Sequence, residues 1–116
     1  MKFMILINYD PTKPTLPDDP ESLQPEHAKL EAMMRERGQH LAGGGLVPVE
    51  MVKPIRVRGG KTLSSDGPFA ETKEVLGGFY VIEVPTEDEA VEFARQVPLD
   101  SRSWVEVRRV PLFHVG

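Results

Sequence analysis

The side chains of this chain best suited to move protons are its three histidines, its two tyrosines and one loop aspartate. His27 falls at helical spacing with Leu23, Leu30 and Met34, so it is expected to face a sheet and not solvent. An imidazole titrates near neutrality and can serve there as general acid or base. Glu31, one helical turn later, is placed to orient it. The competing reading is a hydrogen-bonded histidine at the edge of a core. His40 falls near the end of the same helix, where a solvated or capping role is expected, and His114 lies in the tail. Asp66 opens the run Asp66-Gly67-Pro68-Phe69, in which Gly-Pro forces a bend and the carboxylate can bond nearby backbone N–H groups. It is either the acidic partner of His27 or the organiser of its own loop. The phenols of Tyr9 and Tyr80 are candidate ligand donors, or packing groups between two chains.

Several chemistries are disfavoured by what surrounds these groups. No two histidines have the i, i+4 spacing of a helical metal motif and the chain has no cysteine, so neither a metal site nor a cofactor is expected. Gly43, Gly44 and Gly45 lack the following Lys of a phosphate-binding loop and read as a flexible turn. There is no G-x-S-x-G elbow and no dinucleotide fingerprint.

The elements that must position the candidates follow from periodicity. Residues 2–9 are apolar on both faces, as in a central, doubly covered strand. Pro11, Pro14, Pro17 and Pro20 recur at every third residue and predict a stiff, extended surface loop. A helix is expected over 22–37, with Ser22 as N-cap, Pro25 in the first turn, Gly38 just beyond the end, and Leu23, Leu30, Met33, Met34 and Leu41 as its buried stripe. A strand over 46–52 should follow, then a polar hairpin over 54–58 and 61–64 turning at Gly59-Gly60. A strand over 78–84, a helix begun by the capping box Thr86 to Glu89 and carrying Ala90, Phe93, Ala94 and Val97 inward, and a strand over 103–110 complete the chain. The order is βαββαβ with an inserted hairpin, an α+β fold of ferredoxin-like type. Both helices lie on one face of such a sheet, and apolar residues on the other face call for a second copy of the chain. A homodimer in which two sheets form an α+β barrel is expected.

The 116 residues allow one domain, and 40% hydrophobic with 28% charged residues describes a soluble globular one. A net charge of −4 argues against direct nucleic-acid binding. The longest apolar run, residues 3–7, is far too short to span a bilayer and too short for a signal peptide, so a cytoplasmic location without membrane contact is expected.

The run Asp66-Gly67-Pro68-Phe69, continuing through Glu71-Thr72-Lys73-Glu74 to Gly77-Gly78-Phe79-Tyr80, resembles the signature of the DGPF family within the YCII-related superfamily. Met1-Lys2-Phe3-Met4, Ala42-Gly43-Gly44-Gly45-Leu46 and Val105-Glu106-Val107-Arg108 extend the resemblance over nearly the whole chain. It implies a dimeric α+β barrel. The superfamily is similar to small barrel enzymes such as muconolactone isomerase, and some YCII-like members use a histidine and an acidic residue in a cleft. Pro25-x-His27-x-x-Leu30 is similar to their histidine-bearing helix, which singles out His27 among the three histidines. Two positions depart from the pattern: Gly44, where the family often carries Glu, and His27, where many DGPF members carry another residue, often aromatic. The implied function is a small-molecule isomerase or lyase using acid–base chemistry. The alternative is a non-catalytic, metabolite-binding or regulatory module with a transcription-associated protein partner, because DGPF proteins are often associated with extracytoplasmic-function sigma factors.

Overall fold

Strand β1 (Lys2–Tyr9) sits at the centre of a four-stranded antiparallel sheet, bonded on one side to β5 (Val75–Glu83) and on the other to β6 (Ser103–Arg109). The computed structural model of the protein describes residues 1–65, 67 and 74–114. Asp66 and Phe69 therefore lie outside the described residues. The fourth sheet strand is β2 (His40–Gly45), at the edge beside β5, giving the order β2-β5-β1-β6 expected of a ferredoxin-like α+β fold. A separate two-stranded ribbon, β3 (Ile55–Arg58) with β4 (Lys61–Ser64), forms the inserted arm. Gly59 and Gly60 turn it with φ of +57° and +76°, the left-handed pair that a two-residue type I′ hairpin requires.

The alternation along β1 sends Phe3 and Ile5 to one face, where Tyr80, Ile82 and Val84 of the β5 segment join them. Helix α1 (Gln24–Glu36) covers this face with Leu30 and Met34, and helix α2 (Glu87–Arg95) covers it with Ala90, Phe93 and Ala94. Phe3, Met34, Ile82 and Ala90 are completely buried. Full burial of one large apolar side chain contributes about 1.5–3 kcal/mol, so this single layer supplies most of the driving force. On the opposite face Val81 is buried, while Met4, Leu6, Phe79 and Trp104 are only half-buried.

Thr86 caps α2 as its sequence predicts, accepting a hydrogen bond from the Glu89 N–H at 3.2 Å. Helix α1 begins two residues later than expected. Its N-cap is Leu23, and the Ser22 hydroxyl, just ahead of the helix, accepts from the N–H of its first residue, Gln24. Three further expectations are corrected. The glycines 43–45 are not a turn but the end of edge strand β2, paired with residues 78–80 of β5. Residues 46–52 contain no strand but a short 3₁₀ turn, Val49–Met51. Leu41 belongs to β2 and is 40% exposed, so it is no part of the helix stripe.

Strand β5 also starts earlier than its alternation suggests. Ile7 pairs with Gly78 and Asn8 with Leu76, so Gly77 is an extra residue that no β1 residue opposes. This bulge reverses the phase of the strand: Val75 and Tyr80 are both buried although they stand an odd number of positions apart.

Candidate functional site

His27 closes the first turn of α1, its N–H bonded to the Leu23 carbonyl behind it and Pro25 occupying the first-turn position where no N–H is needed. Its side chain meets Tyr80 at the middle of β5, with Nδ1 of the imidazole 2.6 Å from the phenolic oxygen. Two of the candidates named from sequence are thus in direct contact across 53 residues of chain. Burial pushes the Tyr80 hydroxyl up to about 12, with Glu31 adding to the effect. Burial likewise lowers the affinity of His27 for a proton, against the opposing pull of Glu31 and Glu26. Glu31 does not orient His27 by a hydrogen bond; its carboxylate pairs with Arg35 at 3.4 Å and acts on His27 through its field.

Room for the phenol comes from the edge strand. A Cβ on Gly43 would stand 3.2 Å from Cδ1 of Tyr80, and one on Gly44 3.2 Å from Cε1 of Phe79. His40, on the same strand, meets Tyr80 edge-on with 6.4 Å between ring centres, and its buried Nε2 has no hydrogen-bond partner.

Between α1 and the sheet opens a cleft of about 600 Å³, lined by His27 and Tyr80 and, further along, by Tyr9, Glu31, Glu50 and Arg102. Tyr9 is set against the bulge: a Cβ on Gly77 would lie 3.1 Å from its Cδ1. The Arg102 guanidinium stacks 5.4 Å from the centre of the Tyr9 ring and is bonded to Asp100 at 3.3 Å. The proline-rich loop forms part of the cleft wall through Pro11. Asp19 fastens that loop to the β6 side, accepting from Ser101 N–H and hydroxyl at 2.8 and 2.6 Å and from Leu16 N–H at 2.7 Å.

Arg102 and Glu50 were not singled out from sequence. Nothing in their spacing marks them, because each reaches the cleft from an irregular segment. His114 is exposed in the tail, and Asp66 falls outside the described residues. Gly67 itself donates to the Val52 carbonyl at 2.7 Å, two residues beyond Glu50. Among the described residues no three His, Asp or Glu side chains are grouped as metal ligands. No helix among them is long and apolar enough to cross a membrane.

The fold and the cleft together define a ferredoxin-like α+β domain with an imidazole–phenol pair between its first helix and its sheet. The chain belongs to the YCII-related domain family, whose model matches residues 1–114. A curated protein of Rhizobium meliloti (strain 1021), described as uncharacterized, is 44% identical to it over 73 residues, which is 61% of this chain. The matched stretch spans 59% of that relative's length.

Proposed function

We propose that this protein is a DGPF-type member of the YCII-related family that binds a small organic molecule in the cleft and acts on it by acid–base chemistry of the isomerase or lyase kind. The observation that carries this reading is the 2.6 Å contact between His27 Nδ1 and the Tyr80 hydroxyl, inside a cleft of ligand size. His27 is the group that handles the proton and Tyr9 supplies a wall for the ligand. Asp66 is its proposed acidic partner, supported by the bond that brings Gly67 to the segment lining the cleft. A homodimer joined through the face of Met4, Leu6, Phe79 and Trp104 belongs to the same reading, supported by the partial exposure of these four side chains.

A thermal-shift screen of small metabolites, run on the wild type and on His27→Ala, tests the proposal. A compound that raises the melting temperature of the wild type alone, and is consumed by it, is the expected result. Metabolites that stabilise both proteins equally, with no turnover, would sink the catalytic reading.

A second reading is favoured by the arm. All eight residues of β3 and β4 are exposed, Ile55 and Val57 at 71% and 69%, which suits a regulatory module that docks a transcription-associated protein. Under that reading the partner copurifies with the full chain and is lost when the arm is removed.

A further inference from the structure

The contact between His27 and Tyr80 has a direction, and the direction decides what the cleft offers to a ligand. The Tyr80 hydroxyl has one proton to donate, and among the described residues His27 Nδ1 is its only hydrogen-bond partner. If Nδ1 carried a proton and donated it, the phenolic proton of a residue only 3% exposed would be left without an acceptor among the described residues. The satisfied arrangement has Tyr80 donating and Nδ1 accepting. A neutral imidazole accepting at Nδ1 carries its proton at Nε2. Nε2 of His27 has no partner among the described residues and is not sealed from solvent, and the residue lines the cleft.

We infer that Tyr80 is a positioning residue that holds His27 as the neutral Nε2–H tautomer, so that the cleft presents a hydrogen-bond donor to a ligand oxygen, either a carbonyl or a carboxylate. This inference rests on the reading of the cleft as a small-molecule site and narrows it. His27 serves the acid side of the chemistry: it stabilises negative charge that builds on a ligand oxygen, as a neutral imidazole can when its environment disfavours the imidazolium. Protonating His27 would place a second N–H at Nδ1 and turn Tyr80 from donor to acceptor, so the pair resists the charged form. Among the described residues the titratable and charged groups around the imidazole are Glu26 and Glu31 on its own helix, Tyr80 on β5 with His40 beyond it on β2, and Tyr9, Glu50 and Arg102 elsewhere on the cleft.

The experiment is a long-range proton–nitrogen correlation spectrum of the imidazoles in the ligand-free protein, with His27 assigned by its loss in His27→Gln. The expected result is a single neutral tautomer protonated at Nε2. In Tyr80→Phe, checked for an unchanged fold by its backbone spectrum, the two tautomers should mix and the His27 titration should move to higher pH. A neutral Nδ1–H form in the wild type overturns the inference, even where the metabolite screen succeeds. An unaltered tautomer and titration in a folded Tyr80→Phe overturns it too. If Tyr80→Phe does not fold, the wild-type spectrum decides alone. For the ligand class, acetate should shift the Nε2–H resonance while tetramethylammonium, of similar size but with no acceptor, should not. Equal responses to both, or none to acetate, remove the oxygen-acceptor assignment.

Discussion

Tyr9 packs against Gly77, so close that a Cβ there would stand 3.1 and 3.3 Å from two atoms of its ring. The extra residue in β5 is therefore a glycine for a spatial reason: the bulge brings its backbone up under an aromatic side chain that lines the cleft. Gly77→Ala should push the Tyr9 ring off its seat and away from Arg102. The expected cost is about 1 kcal/mol in urea unfolding, the lower end for overpacking. A ligand that protects the wild type from heat should protect this variant less. A stability gain with unchanged ligand protection would show that the ring yields freely.

His27 and Tyr80 set opposite edges of a pH window. Burial lowers the proton affinity of His27 below the ordinary value of 6.5, so the unfolded chain binds this proton first. Its contribution to stability is complete above 6.5 and is lost as pH falls through the depressed folded value. Burial raises Tyr80 from 10.0 to about 12, so its contribution is complete below 10.0 and is lost as pH rises toward 12. Unfolding free energies measured across pH should decline at both edges. His27→Gln should flatten the acid edge and Tyr80→Phe the alkaline one; unchanged slopes in both variants would refute the assignment.

The Thr86 cap gives a control remote from the cleft. Thr86→Ala removes the acceptor for the Glu89 N–H and should cost about 1 kcal/mol, with Thr86→Ser recovering most of it. Ligand protection should be unaffected in both, because the cap lies outside the cleft.

The exposed sheet face makes a claim about mass. If Met4, Leu6 and Phe79 pack against a second chain, light scattering at micromolar concentration should return twice the 13.0 kDa of one chain. Leu6→Glu should drive the protein to the single-chain mass by burying an unpaired charge at the interface. A wild type of 13.0 kDa would end the proposal of a barrel dimer.

Much of this architecture was legible in the residues, and what was not has specific causes. β1, the hairpin, the capped α2 and β6 follow from alternation, a Gly-Gly pair and a capping box. The contact of His27 with the sheet follows from its spacing with Leu30 and Met34. β2 escaped because three of its six residues are glycines, which carry no side chain to alternate and ordinarily mark turns. Residues 46–52 looked like a strand because Val47, Val49, Met51 and Val52 are apolar, yet Pro48 interrupts the run and Val49–Met51 close into a 3₁₀ turn. The early part of β5 was hidden by the bulge, which breaks the period at Gly77. The partnership of His27 with Tyr80 depends on which face each element presents, and only the register of β5 settles that.

The ladder of β3 and β4 closes on itself: these strands pair with each other and with no strand of the main sheet. Changes at its tip therefore leave the strand pairing of the main sheet untouched. The Gly59-Gly60 junction is a natural socket, where an epitope, a fluorophore acceptor peptide or an immobilisation tether can be spliced in without disturbing the cleft.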